Sequence, residues 1–192
     1  ADQNPDFVIH LGDMVHPLPH MATYSEAAKE ANKIFLPLMP NLKFVPGNHD
    51  SGDKPSLVSP AGPADKASLD TYRQHFGEDF YSFEFKNIQF IVMNSSLVNN
   101  LKEENSQKKW LETELATTKD KRIFLFSHYP PFINDPNEDS HYDNYAEPGR
   151  EWLLGLAKKH NIEAIFSGHV HHFFFNRFGK TKLYCHPATS FT

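Results

Sequence analysis

The chain reads as an α/β protein with mixed sheets, and three observations predict that class. Short apolar runs (Phe7-Val8-Ile9, Phe44-Val45, Ile123 to Phe126 and Ala164-Ile165-Phe166) alternate with segments of helical periodicity. Each run stops at a cluster of Gly, Asp, Asn, Ser or His, so polar side chains gather at strand ends. Two further stretches, Tyr81 to Met93 and His172 to Cys185, fold back at Lys86-Asn87 and Gly179-Lys180 and add antiparallel hairpins.

In order, Phe7 to Leu11 is the first strand. Tyr24 to Leu38 follows as a helix, opened by a Thr23/Glu26 capping box and stopped by Pro37 and Pro40. Its apolar face is Ala27, Ala28, Ala31, Ile34 and Phe35. Lys43 to Val45 is a strand into the Gly47 turn, 51–67 a long Ser/Pro/Gly/Asp loop, and Ser68 to Phe76 a short helix. After the first hairpin, Gln107 to Thr117 is a helix with Trp110, Leu111 and Leu115 inward. Arg122 to Phe126 is a buried strand. The Tyr129 to Glu147 loop fits equally a substrate lid or a solvated connection. Pro148 starts a helix running to Lys159, and Ile162 to Phe166 is a strand into the Gly168 turn.

At 192 residues, 1–192 is read as a single domain, long enough to bury a core. A net charge of −5 without a Lys/Arg block excludes a binder of nucleic-acid backbone. The single cysteine, Cys185, excludes an internal disulfide and a Cys-rich zinc site. It suits a reducing compartment, which slightly favours a soluble cytoplasmic protein without fixing the location. No stretch approaches the length of a membrane span.

The chemistry lies in Gly12-Asp13, Gly47-Asn48-His49-Asp50, Ser127-His128 and Gly168-His169-Val170-His171. Each has a plain structural alternative. Asp13 could close an Asx turn, Gly47-Asn48 could be only a turn, His128 a core histidine on a carbonyl, and His-x-His a loop accident. In combination they place a carboxylate, an amide and imidazoles at one edge of a sheet, an O/N donor set suited to Zn, Mn or Fe. If the 169–171 segment is extended, His169 and His171 point the same way and serve two neighbouring ions.

This order of motifs resembles the calcineurin-like metallophosphoesterases, over residues 7 to about 172. The resemblance implies a four-layer α/β/β/α sandwich with two mixed β-sheets. It also implies a metal-dependent phosphatase or phosphodiesterase with a two-metal centre and a bridging hydroxide, acting on a small-molecule or protein phosphoester. By resemblance Asp13 bridges two divalent or trivalent ions (Mn, Fe or Zn). Asn48, His128 and His169 would complete the second ion and His171 would go to the first. His49 would be the general acid, oriented and kept cationic by Asp50.

The family's opening Asp-x-His does not precede Asp13, so the domain is expected to be incomplete at its N-terminus, with further strands possible at its C-terminus. The second-metal site is then the more complete one, activity is weak, and the sheet left by the missing strand invites self-association. His16 stands where purple acid phosphatases carry an iron-binding Tyr. Metal ligation, substrate contact and pocket lining all suit its position. A catalytically impaired or non-enzymatic metal-binding scaffold of the same fold is the rival reading, and a zinc peptidase is excluded by the lack of His-Glu-x-x-His.

Overall fold

The computed structural model describes residues 5–38, 41–56, 59, 62–118 and 120–189. The expected stop at Pro40 and part of the 51–67 loop lie outside them. The described residues form two sheets between two helical layers. Strands β1 (Val8–His10) and β2 (Leu42–Phe44) pair in parallel. The larger sheet holds β3 (Tyr81–Phe85), β4 (Ile88–Val92), β5 (Arg122–Phe126), β6 (Ala164–Ser167), β7 (Phe174–Phe178) and β8 (Thr181–Cys185). Its order is β3-β4-β5-β6-β8-β7. Strands β4, β5, β6 and β8 run parallel, while the hairpin partners β3 and β7 are antiparallel edges. Lys86 and Asn87 turn the first hairpin with φ of 49° and 61°, the left-handed pair that a two-residue loop demands.

Side-chain alternation along the strands builds the layers. Phe90, Val92, Phe124, Phe126 and Phe166 face the small sheet, where they meet Phe7, Ile9, Leu11 and Val45. The intervening Ile91, Met93, Ile123, Leu125 and Ile165 face α4 (Glu104–Thr117) and α5 (Gly149–Lys159). On the far side of the small sheet, Leu42 and Phe44 pack on α1 (Tyr24–Phe35) and α3 (Lys66–Phe76). The sequence is therefore helix, sheet, sheet, helix. The high aromatic content fills the middle layer, with Phe83 stacked on Phe90 and Phe126 on Phe166, both at 5.0 Å between ring centres.

Several local expectations change. Thr23 does not cap α1 through its side chain, because its backbone is already helical (φ −83°, ψ −8°) and the hydroxyl is not aimed at the free N–H groups. Ile34, expected inward, is 74% exposed; α1 buries only Tyr24, Ala28 and Ala31. Helix α3 starts earlier than Ser68: Asp65 accepts the Ser68 N–H at 2.8 Å and the Ser68 hydroxyl accepts the Asp65 N–H at 3.0 Å. Helix α4 also starts early, and Gln107 on its first turns is buried because its amide bonds both backbone groups of Asn94.

Candidate metal centre

The centre forms where β1, β2, β5 and β6 end. After β1, Gly12 (φ 103°) and Asp13 (φ 56°) reverse the chain. A Cβ on Gly12 would stand 2.5 Å from His128 Nδ1 and 2.9 Å from Gly47 Cα, so only glycine lets these three segments meet. After β2, Gly47 leads into a single helical turn, α2 (Asn48–Ser51). A Cβ on Gly47 would lie 2.2 Å from Asp13 Oδ1. The two glycine-containing turns are pressed together, and that brings Asp13 beside Asn48.

Asp50 locks this approach. Its Oδ2 accepts the N–H groups of Asp13 (2.7 Å) and Gly47 (2.8 Å), and its Oδ1 those of Met14 (2.8 Å) and Val15 (3.4 Å). Burial raises the Asp50 carboxyl and the Asp13 charge adds to the rise, while the Gly47 and Asp13 N–H groups oppose it. All four contacts are N–H donors, which suit the ionised form. The expected pairing of Asp50 with the His49 ring is not what the structure shows. His49 Nδ1 instead meets the His16 carbonyl at 2.8 Å. Adjacent residues on a helical turn project in different directions, so the dipeptide sends one side chain into the turn and the other outward.

Asp13, Asn48, His128 and His169 come together. His128 Nε2 is 3.2 Å from Asp13 Oδ2, 3.1 Å from Asn48 Oδ1 and 3.2 Å from His169 Nδ1. Donors held about 2.0–2.2 Å from one cation are separated by roughly 3.0–3.5 Å. The observed spacings fit that shell, and Asp13, His128 and His169 form the one such His/carboxylate group among the described residues. The second nitrogen of His128, Nδ1, is 2.7 Å from the Leu11 carbonyl, which fixes the ring and turns Nε2 inward. Burial lowers the His128 pKa, but the charge and bond of Asp13 outweigh it and the net shift is upward. His169 is pushed down to about 2 by burial and by neighbouring His128, against the pull of Asp13. A carboxylate among imidazoles that cannot all take protons is a donor set for a metal ion, and these residues fit one.

His171 is not in this group. The segment is not extended, since His169 and His171 both have left-handed backbones (φ 65° and 61°) and the Val170 N–H bonds the Gly168 carbonyl at 2.7 Å. The alternation argument therefore does not apply here. His16 is exposed, with its ring 5.4 Å from that of His49.

Other residues around the centre carry no sequence signal beyond their polarity. His10 accepts the Gly12 N–H at 3.3 Å and braces the turn. Asp53, fully buried, takes the Tyr129 hydroxyl and lies 3.5 Å from Asn48 Nδ2, which also donates to the Tyr142 hydroxyl at 3.0 Å. Rings of Tyr129 and Tyr142 lie 4.1 and 4.9 Å from that of His169. Lys54 is pushed down to about 8 by burial, with Asp53 and Asp143 opposing. Its Nζ donates to the carbonyls of His141 and Asn144. The 129–147 loop is thus tied to the body of the protein. For Tyr142 the one sequence signal is its place in the long loop after His128.

Comparison with known proteins identifies the family. The family model described as calcineurin-like phosphoesterase matches residues 1–173. The chain belongs to the calcineurin-like phosphoesterase family. It is 28% identical over 178 residues to the serine/threonine-protein phosphatase CPPED1 of Danio rerio, covering 87% of this chain and 54% of the relative. It is 26% identical to the probable cyclic nucleotide phosphodiesterase PSM_A2567 of Pseudoalteromonas sp. (strain SM9913), covering 99% and 65%. The chain thus spans about half the length of the CPPED1 relatives it matches. Among solved structures, a dimetal phosphatase from Danio rerio superposes with a TM-score of 0.57 at 18% identity, covering 94% of this calcineurin-like chain and 71% of its own. GAP50, the anchor in the inner membrane complex of Plasmodium, gives 0.55 at 13%, covering 96% and 71%. Both share the fold. No helix among the described residues is long and apolar enough to cross a membrane.

Proposed function

We propose that this chain carries the centre of a metal-dependent phosphoester hydrolase, a phosphatase or phosphodiesterase working through two ions. The observation that supports it most is the approach of Asp13, Asn48 and His169 donors to His128 Nε2 at 3.1–3.2 Å. These four residues would hold the second ion. Asp13 and His171 would serve the first. When bound, Mn, Fe or Zn ions acidify a water nucleophile and neutralise phosphoryl oxygens. The protein's own part is to fix that centre and to supply a proton. His49 is half-buried at its rim, its Nδ1 on the His16 carbonyl, which leaves Nε2 as the atom from which a proton can pass to the leaving oxygen.

The substrate class stays broad, a small-molecule or protein phosphoester. The test is hydrolysis of bis-p-nitrophenyl phosphate and p-nitrophenyl phosphate with Mn(II), Fe(II) or Zn(II) added. His49→Ala should lower turnover on the order of 10²–10⁴-fold while leaving ion binding intact. Equal turnover in wild type and variant removes His49 from the chemistry.

A second reading, a metal-binding scaffold, is favoured by one observation: the clustered donors surround one ion position. Stoichiometric binding of one ion with no turnover on either ester selects it. On either reading, β1, paired only with β2 among the described residues, offers an open edge for self-association. Light scattering that stays monomeric at high concentration removes that expectation.

A further inference from the structure

The long loop after His128 supplies two consecutive residues that touch two of the four donors from outside. Tyr142 Oη accepts the Asn48 Nδ2 N–H at 3.0 Å, and Asp53 Oδ2 stands at 3.5 Å on the same amide nitrogen. An amide has one oxygen end and one nitrogen end, and only the oxygen binds a cation. Acceptors on the nitrogen therefore commit Oδ1 to the centre. The Tyr142 ring also lies edge-on against His169, 4.9 Å between ring centres. Asp143 Oδ1 is 3.5 Å from His169 Nε2, a buried ring nitrogen with no hydrogen-bond partner among the described residues. A carboxylate this close needs only a small shift to accept the Nε2 proton, and that bond would leave Nδ1 to face the ion.

The pair is itself held. Lys54 Nζ donates to the carbonyls of His141 and Asn144, the residues on either side of it. The His141 N–H bonds Asn144 Oδ1 at 2.9 Å, closing the turn. Asn144 Nδ2 in turn donates to Glu138 Oε1 at 2.7 Å and to the Asp139 carbonyl at 2.9 Å. These bonds hold the loop against the body of the protein.

We propose that Tyr142 and Asp143 are positioning residues of the metal centre: Tyr142 orients the Asn48 amide and Asp143 orients the His169 imidazole toward the cation. This rests on the metal-centre reading above. It concerns side chains that contact ligands, and neither residue touches the reacting atoms.

The experiment compares wild type, Tyr142→Phe, Asp143→Ala and His128→Ala for Mn(II) affinity by calorimetry, Co(II) visible absorption, and melting without metal. Tyr142→Phe keeps the ring against His169 and removes only the hydroxyl. The expected result is Mn(II) affinity reduced about 10–100-fold in each loop variant, with a changed Co(II) band. The metal-free melting temperature should move by less than about 3 °C. If both loop variants bind like wild type while His128→Ala does not, the positioning role is overturned and the metal centre stands. If affinity falls only together with a large drop in metal-free melting and an unchanged Co(II) band, the residues are merely structural and the proposal fails. If wild type binds neither ion, both readings fall.

Discussion

Replacing Gly47 by alanine is the smallest change that should disable the centre. The Gly47 backbone is ordinary for any residue, with φ −93° and ψ 174°, so conformational strain is not the issue. The obstacle is space. An added Cβ would sit 2.2 Å from Asp13 Oδ1 and 2.3 Å from Asp13 N. Reaching ordinary contact needs an opening of roughly 1 Å between the two turns. One obstacle is backbone, itself tied to Asp50, so a side-chain rotation cannot relieve it. Overpacking of this kind costs about 1–3 kcal/mol of stability. The larger effect falls on the ion, because Asp13 must move away from His128 Nε2 by a distance comparable to the tolerance of a coordination shell. Gly47→Ala should therefore bind Mn(II) at least about 100-fold more weakly by calorimetry, while urea melts show a folded protein. Gly155→Ala is the control, since nothing lies within 4 Å of its added Cβ on α5. It should keep full affinity and gain about 0.5–1 kcal/mol from helix propensity. Wild-type Mn(II) affinity in Gly47→Ala would refute the reasoning.

Three further outcomes follow from particular contacts. Asp50→Asn puts an NH₂ group where N–H donors converge, and with at least one buried N–H left unmatched it should cost about 2–4 kcal/mol in urea denaturation; a neutral result removes the clamp role. Glu138 is held down at about 2: burial opposes ionisation, but the Asn144 amide and the N–H groups of Asn134, Ile133 and Asp135 favour it. A depressed carboxylate contributes stability that is complete above its unfolded pKa of about 4.5 and lost as pH falls towards 2. Glu138→Gln should therefore flatten the acid limb of a melting-temperature profile between those values; an unchanged slope would show that Glu138 does not contribute to it. Ile34→Gln, on the exposed side of α1, should change stability by less than about 0.5 kcal/mol, and a larger loss in thermal melts would mean that this face is covered.

Much of the architecture could be read from periodicity. The hairpin at Lys86-Asn87, the strands before His128 and Gly168, and the helix after Pro148 stand close to where local pattern placed them. The misplacements have local causes. The helix of Tyr24–Phe35 carries an isoleucine outside because an alanine-rich face already fills its contact with the sheet. The helix of Glu104–Thr117 begins before its apolar repeat does, since a buried glutamine takes the first contact. The gathering of Asp13, Asn48, His128 and His169 was legible because each follows a strand, and strand ends share an edge.

Sequence alone determined which chemical groups are present and that consecutive strand ends would gather them, because strand direction and turn residues are encoded locally. What only the folded chain decided is where each group points. The left-handed backbone at His169 and His171, the helical turn that separates His49 from Asp50, and the arrival of Tyr142 beside Asn48 all depend on contacts between residues far apart in sequence. Such contacts form only when loops are pressed against one another by the packed sheets, and no local pattern records them.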